Sequence, residues 1–239
     1  MTDREISLPF TLNDVNLVDQ RKNIVLAMNI PGYLKFMEIQ PLNWHLSFRY
    51  PGMVRIGTMA DGSCYFHCIA QSYHVPYQRG NVGGVAFNRK NFIRDLRYDL
   101  SVKLGEKVDP TDPNSPIHYD LLSRGQLKDF GKEVPNYSLV AMQRELNSDR
   151  SVDNVYNEFI SNILDKDIYI LDLTTQDVYV TGNDSDILYK NRNSIVILFL
   201  PGHYELVGIK TPKGIDTYFA PDHAFIQAIR QRLREKISS

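Results

Sequence analysis

The side chains with the clearest capacity for covalent chemistry are Cys64 and His203. Cys64 lies in the string Asp61-Gly62-Ser63-Cys64-Tyr65-Phe66-His67-Cys68-Ile69. Phe66, Ile69, Ala70 and Tyr73 recur at i, i+3, i+4 and i+7, so the spacing predicts an amphipathic helix with Cys64 in its first turn. Unpaired backbone N–H groups at a helix start favour a thiolate, and they can receive the oxyanion that forms on an attacked carbonyl. Gly62 lets the backbone pass close to a substrate. A plainer reading fits the same residue, because free cysteine is among the most buried residue types. Cys68, one turn on, reads as a packed core thiol, and His67 as a surface or packing residue.

Six histidines occur, and His203 has the best setting for a general base. It follows the apolar run Ser-Ile-Val-Ile-Leu-Phe-Leu (194–200) and the break Pro201-Gly202, and it opens His-Tyr-Glu-Leu-Val-Gly-Ile (203–209). Side chains alternate along a strand, so His203 and Glu205 share one face while Tyr204 and Leu206 take the other. Glu205 can then accept a hydrogen bond from His203 and fix its tautomer, the task of a triad's third member. The plainer reading is a partly exposed strand histidine beside a solvated glutamate. His223 follows Asp222 at a helix start and reads as structural. Cys64, His67 and Cys68 lie on one short helix with no second Cys/His pair, so neither a metal site nor a cofactor is expected.

The elements that must position these residues are helices first and strands later. Amphipathic helices are predicted over 61–75, where Pro76 closes the first, and over 87–104, with Phe92, Leu96 and Leu100 as the core stripe. A Pro- and Asp-rich loop over 105–116 follows, then shorter helices over 119–130, 139–146 and 152–164. Strands are predicted over 168–173, 177–180, 194–200, 204–209 and 215–219, with a turn-rich link at 181–186, and a last helix begins near Pro221. That order predicts an α+β domain with a small mixed or antiparallel sheet flanked by helices. Residues 1–48 read as a partly helical lead-in packed on a domain spanning 49–239. The chain has 239 residues, 43% of them hydrophobic, which suffices for one sizeable core. A net charge of −1 leaves no basic field to hold a phosphate backbone, so nucleic acid is not the expected partner. The opening residues carry charges where a signal peptide needs an apolar run, and no apolar stretch is long enough for a bilayer. With two cysteines too close to staple distant segments, the chain reads as a soluble protein of a reducing compartment with no membrane partner.

The 61–69 string resembles the nucleophile motif of the ovarian-tumour (OTU) cysteine proteases, Asp-Gly-[Asn/Ser]-Cys followed by an apolar or aromatic pair and a helix. Gly202-His203-Tyr204-Glu205-Leu206-Val207, after an apolar strand, resembles the histidine motif of the same family. The resemblance runs from about Arg49 to Ile209 and is sharp only at those two ends. It looks most like OTU domains carried by large DNA viruses. It implies a papain-like OTU fold and hydrolysis after the C-terminal Gly-Gly of ubiquitin, of polyubiquitin chains or of a ubiquitin-like modifier, in a cytoplasm, the host's if viral. By position, Cys64 would be the nucleophile and His203 the base. Asp61 would shape the loop, and Gly62 and Cys64 would offer oxyanion amides. One departure stands out: two positions after the histidine the family has Asp or Asn, and here stands Glu205. It keeps two rivals open, a ubiquitin-binding module with impaired catalysis and a cysteine hydrolase or acyltransferase on another acyl donor. Aromatics over 119–137 are candidates for docking a globular substrate, though ordinary core packing is the preferred reading for most of them.

Overall fold

The computed structural model describes residues 32–180 and 190–238. Strands β1 (Ile39–Pro41) and β2 (Met53–Ile56) precede helices α1 (Cys64–Tyr73) and α2 (Val75–Arg79) and the hairpin β3 (Asn81–Val82), β4 (Val85–Ala86). Helices α3 (Arg89–Leu104), α4 (His118–Leu121), α5 (Gln126–Glu133), α6 (Leu139–Leu146) and α7 (Asn157–Leu164) follow. The chain then turns to strands β5 (Asp167–Asp172), β6 (Asp177–Val178), β7 (Ser194–Leu200), β8 (His203–Thr211) and β9 (Gly214–Asp216), and ends on α8 (Ala224–Ser238). The main sheet runs β1-β2-β8-β7-β5-β6, with β9 also paired to β8. Only β5 and β7 are parallel, so the sheet is mixed. This is the α+β class expected, a small mixed sheet flanked by helices.

β7 is apolar along nearly its whole length because both of its faces are covered. Ile195 and Ile197 join Ile168, Ile170, Leu206 and the α1 residues Phe66 and Ile69 in one core. Val196, Leu198 and Leu200 join Leu171, Val207 and the α8 residues Phe225, Ile226 and Ile229 in the other. Helix α8 is held by polar contacts as well: Arg230 donates to Asp167 at 3.1 Å and to the Tyr169 hydroxyl at 2.7 Å.

Several boundaries depart from expectation. Pro76 does not close α1; the helix ends at Tyr73, and Pro76 sits in the first turn of α2, where a missing N–H costs nothing. The helix expected over 119–130 is broken by Ser123 and Arg124, both at positive φ, into α4 and α5. In α3 the fully buried stripe is Ile93, Arg97, Leu100 and Leu104, with Phe92 and Leu96 at its margin. An arginine in the stripe breaks the apolar pattern, which is why the register is shifted. The strand expected over 215–219 keeps only β9, and Phe219 makes a lone bridge to Ser194. Strand β2 and the β3–β4 hairpin have no counterpart in the sequence reading. Of the lead-in, 1–31 lie outside the described residues, as does the turn-rich link at 181–186. Residues 32–48 contribute β1 and the buried Leu34, Leu42 and Trp44.

Gln71, on α1, is 3% exposed, and among the described residues neither its Oε1 nor its Nε2 finds a partner. A buried amide left unpaired costs about 1–3 kcal/mol. Gln71→Met should therefore raise the urea midpoint of unfolding with an unchanged slope, and a lower midpoint would show that the amide is satisfied after all.

Candidate functional site

Cys64 is the first residue of α1, and His203 is the first residue of β8. The two elements meet at their leading ends. The backbone amide of Tyr204, next to His203, acts on Cys64 to favour its thiolate, as do the amides of Tyr65 and of Cys64 itself. The Tyr204 peptide is anchored from its other side, because the Thr58 hydroxyl donates to its carbonyl at 2.6 Å. The Tyr65 and Tyr204 rings pack edge to face at 5.5 Å, locking the helix against the strand. Helix start and strand start, far apart in sequence, thus share one site.

The loop that delivers Cys64 is fixed by two buried polar clusters. Asp61 accepts from the Ser63 N–H at 3.2 Å and meets His67 Nε2 at 3.0 Å, while His67 Nδ1 lies 2.6 Å from the Tyr77 hydroxyl. Burial pushes the His67 imidazole below its ordinary range, against the pull of Asp61. A neutral ring with Nε2–H donating to Asp61 and Nδ1 accepting from Tyr77 satisfies every partner. His67 is thus a buried brace of the loop, and the surface alternative falls away. Arg97 supplies the second cluster. It donates to Ser63 Oγ at 2.7 Å and to the carbonyls of Leu146 at 2.8 Å, Glu145 at 2.9 Å and Arg150 at 2.8 Å. Gly62 has φ +79°, and a Cβ there would stand 2.0 Å from the Asp149 carbonyl oxygen, so only glycine fits where these loops cross.

Two electrostatic expectations are corrected. The helix start was expected to lower the Cys64 pKa; instead burial pushes it up to about 11, and Asp61 adds to the rise, outweighing the three amides that pull it down. Against the ordinary thiol value that is about 3 kcal/mol disfavouring the thiolate. The site therefore rests with a protonated thiol. The plainer reading of His203 as partly exposed also fails: it is 2% exposed, and burial lowers its pKa, with Glu205 and Asp61 opposing and Arg55 assisting. Thiol and imidazole both rest uncharged near neutral pH.

Glu205 does not orient His203. Its carboxylate is fully buried and its two oxygens are taken, by Arg55 Nε at 2.6 Å and Nη2 at 2.8 Å and by the Leu34 N–H at 2.8 Å. Among the described residues no hydrogen bond runs from it to the imidazole, and His203 Nε2 is buried without a partner. The extra methylene relative to Asp carries the carboxylate past the ring to the cation on β2. Arg55, Thr58, Arg97 and Tyr33, whose ring lies 4.6 Å from that of His203, escaped the sequence reading. The signal available was an arginine within the apolar run Met53–Ile56 and another on the apolar helical stripe of Ile93, Leu100 and Leu104.

Among the described residues no cluster of His, Cys, Asp and Glu could hold a metal ion, and no helix is long and apolar enough to cross a membrane. Cys64 and Cys68 are both free and buried. Of the aromatics over 119–137, Tyr119 is buried and donates to the Tyr137 carbonyl at 2.8 Å, and Phe130 packs on Tyr137. They are core before they are surface.

A cysteine at a helix start is thus packed against the head of a histidine-bearing strand. No family model matches the chain, and neither does any curated protein. Among solved structures it is similar to an ovarian tumour (OTU) domain in complex with ubiquitin, with 16% identity and a TM-score of 0.48 over 76% of this chain and 83% of that one.

Two measurements probe the electrostatics. In a Cys68→Ala background, thiolate absorbance should rise with pH only as pH approaches about 11, the value to which Cys64 is pushed up; a plateau reached below pH 7 would contradict the burial argument. Glu205→Ala leaves the Arg55 cation buried and alone, and should cost about 3–5 kcal/mol of unfolding free energy, read from denaturant midpoints.

Proposed function

We propose that this protein is an OTU-type deubiquitinase, cleaving the amide bond after the C-terminal glycine of ubiquitin with Cys64 as nucleophile and His203 as base. The observation that carries the reading is the edge-to-face contact of the Tyr65 and Tyr204 rings at 5.5 Å, which sets the residue after the thiol against the residue after the imidazole. The substrate class rests on the two motifs at 61–69 and 202–207. An acyl donor ending in two glycines carries no side chain, so a protease can select it by a channel that excludes every other residue.

On this reading His203 takes the thiol proton as the sulfur attacks the scissile carbonyl, and the oxyanion gathers at the backbone amides of the Gly62–Cys64 turn. Collapse of that adduct expels the amine, which leaves with the proton held by His203. Water, deprotonated by the same imidazole, then releases the ubiquitin carboxylate and restores the thiol. Asp61 acts on the loop through Ser63 and His67 and touches no substrate. The setting is a reducing cytoplasm, a host's if the chain is viral.

One observation favours a second reading. The thiol rests protonated and Glu205 is committed to Arg55, as in a module that grips ubiquitin without cutting it. A ubiquitin C-terminal electrophile separates the two. Covalent capture that disappears in Cys64→Ala, with turnover falling by about a hundredfold or more in His203→Ala, is the expected result. Binding without capture would establish the module, and neither binding nor capture would point to another acyl donor.

A further inference from the structure

His203 is held, but not by a carboxylate. The segment from Gly32 to Leu34 is tied down at three points around it. Arg55 Nη2 donates to the Gly32 carbonyl at 2.8 Å, the Leu34 N–H donates to Glu205 at 2.8 Å, and the Tyr33 hydroxyl donates to the carbonyl of Pro201. Between these ties the Tyr33 ring lies on the imidazole, its centroid 4.6 Å away and its plane tilted by 39°. The segment can come this close because position 57 is glycine: a Cβ there would stand 2.0 Å from the Lys35 carbonyl oxygen. Tyr33 itself is 41% exposed, while the ring beneath it is 2% exposed.

We propose that Tyr33 is the positioning residue of His203, fixing the imidazole plane by ring contact where a triad would use a hydrogen-bonded carboxylate. This rests on the reading of Cys64 and His203 as the reacting pair. Glu205 serves the same end at one remove: with Arg55 it anchors the strap that carries Tyr33. A flat ring clamped at its hydroxyl end to Pro201, two residues before the histidine, restricts rotation of the imidazole about its side-chain bonds. It also keeps water from one face of the ring. Acidic and basic groups around His203 come from every neighbour: Glu205 on its own strand, Arg55 on β2, Asp61 on the nucleophile loop, Cys64 on α1 and Tyr33 on the strap.

The experiment uses the full chain as wild type, Tyr33→Phe and Tyr33→Ala, with two readouts. The first is the NMR titration of the His203 ring, assigned by its loss in His203→Ala. The second is hydrolysis of ubiquitin bearing a fluorogenic amide at its C-terminus. Tyr33→Phe keeps the ring but frees it from Pro201, and should fall between wild type and Tyr33→Ala in both. Tyr33→Ala should lower kcat at least about tenfold with KM changed by less than about twofold, because geometry is lost and binding is not. Its His203 should titrate at a higher pH than in wild type, since water returning to one face favours the imidazolium, and the acidic limb of kcat should move up with it. A rise in turnover in Tyr33→Ala would make the ring an obstruction and overturn the proposal, as would unchanged titration and kcat, or a Tyr33→Phe variant as impaired as Tyr33→Ala. Wild type without turnover would sink the hydrolase reading alone; the titration still decides whether Tyr33 holds the imidazole.

Discussion

Arg55 and Glu205 meet where almost no water reaches either, with side-chain exposures of 3% and 0%. Such a pair repays its desolvation only when further hydrogen bonds complete both partners, and here they do. The carboxylate takes the Leu34 N–H and the guanidinium gives to the Gly32 carbonyl, so one ion pair joins β2, β8 and the strap before β1. β8 begins with His203, and the strap carries the ring that lies on it. Loosening the pair would leave a buried charge unmatched and release two of the three ties on the strap. The geometry of the histidine follows from a contact two residues away that does not touch it.

The nucleophile side is built by the same logic from different chemistry. Asp61 on the nucleophile loop, His67 on α1 and Tyr77 on α2 form a chain, and Arg97 reaches from α3 to clasp five acceptors on the nucleophile loop, the end of α6 and the turn after it. Arg97 also lies over the Phe66 ring at 4.7 Å, so its stem and plane are packed as well as bonded. Carbonyls as acceptors make this clasp insensitive to proton uptake, unlike a carboxylate. The loop's shape is thus set by groups that bind neither thiol nor substrate.

What the sequence made legible were features of short range or strong pattern. The buried β7 run, the α1 periodicity and the two motif strings need only nearest neighbours to be read, and α8 announces itself by its last long amphipathic stretch. Sheet order needed pairings across the chain that periodicity does not encode. β2 was missed because Met53-Val54-Arg55-Ile56 has a charge where a buried strand should be apolar, and only the partner on β8 explains it. The role assigned to Glu205 failed for the same reason: alternation placed it on the face of His203, but which cation stands opposite depends on β2. Tyr33 sits 170 positions from the ring it covers, between tyrosine and histidine, and no local rule could join them.

Burial sets the energetic problem the proposed chemistry must solve. A thiol pushed up to about 11 giving its proton to an imidazole whose own pKa is lowered by burial is uphill if the two ionise independently. A thiolate and an imidazolium formed in contact attract each other by about 4 kcal/mol at the effective dielectric of a protein site. That attraction offsets part of the cost and leaves the neutral pair dominant at rest. A sulfur that ionises only at the moment of use is protected from oxidation at rest and is the stronger nucleophile for its high pKa. The same balance requires the imidazole to be held in place beforehand, because the attraction is lost and the cost rises if the ring turns away.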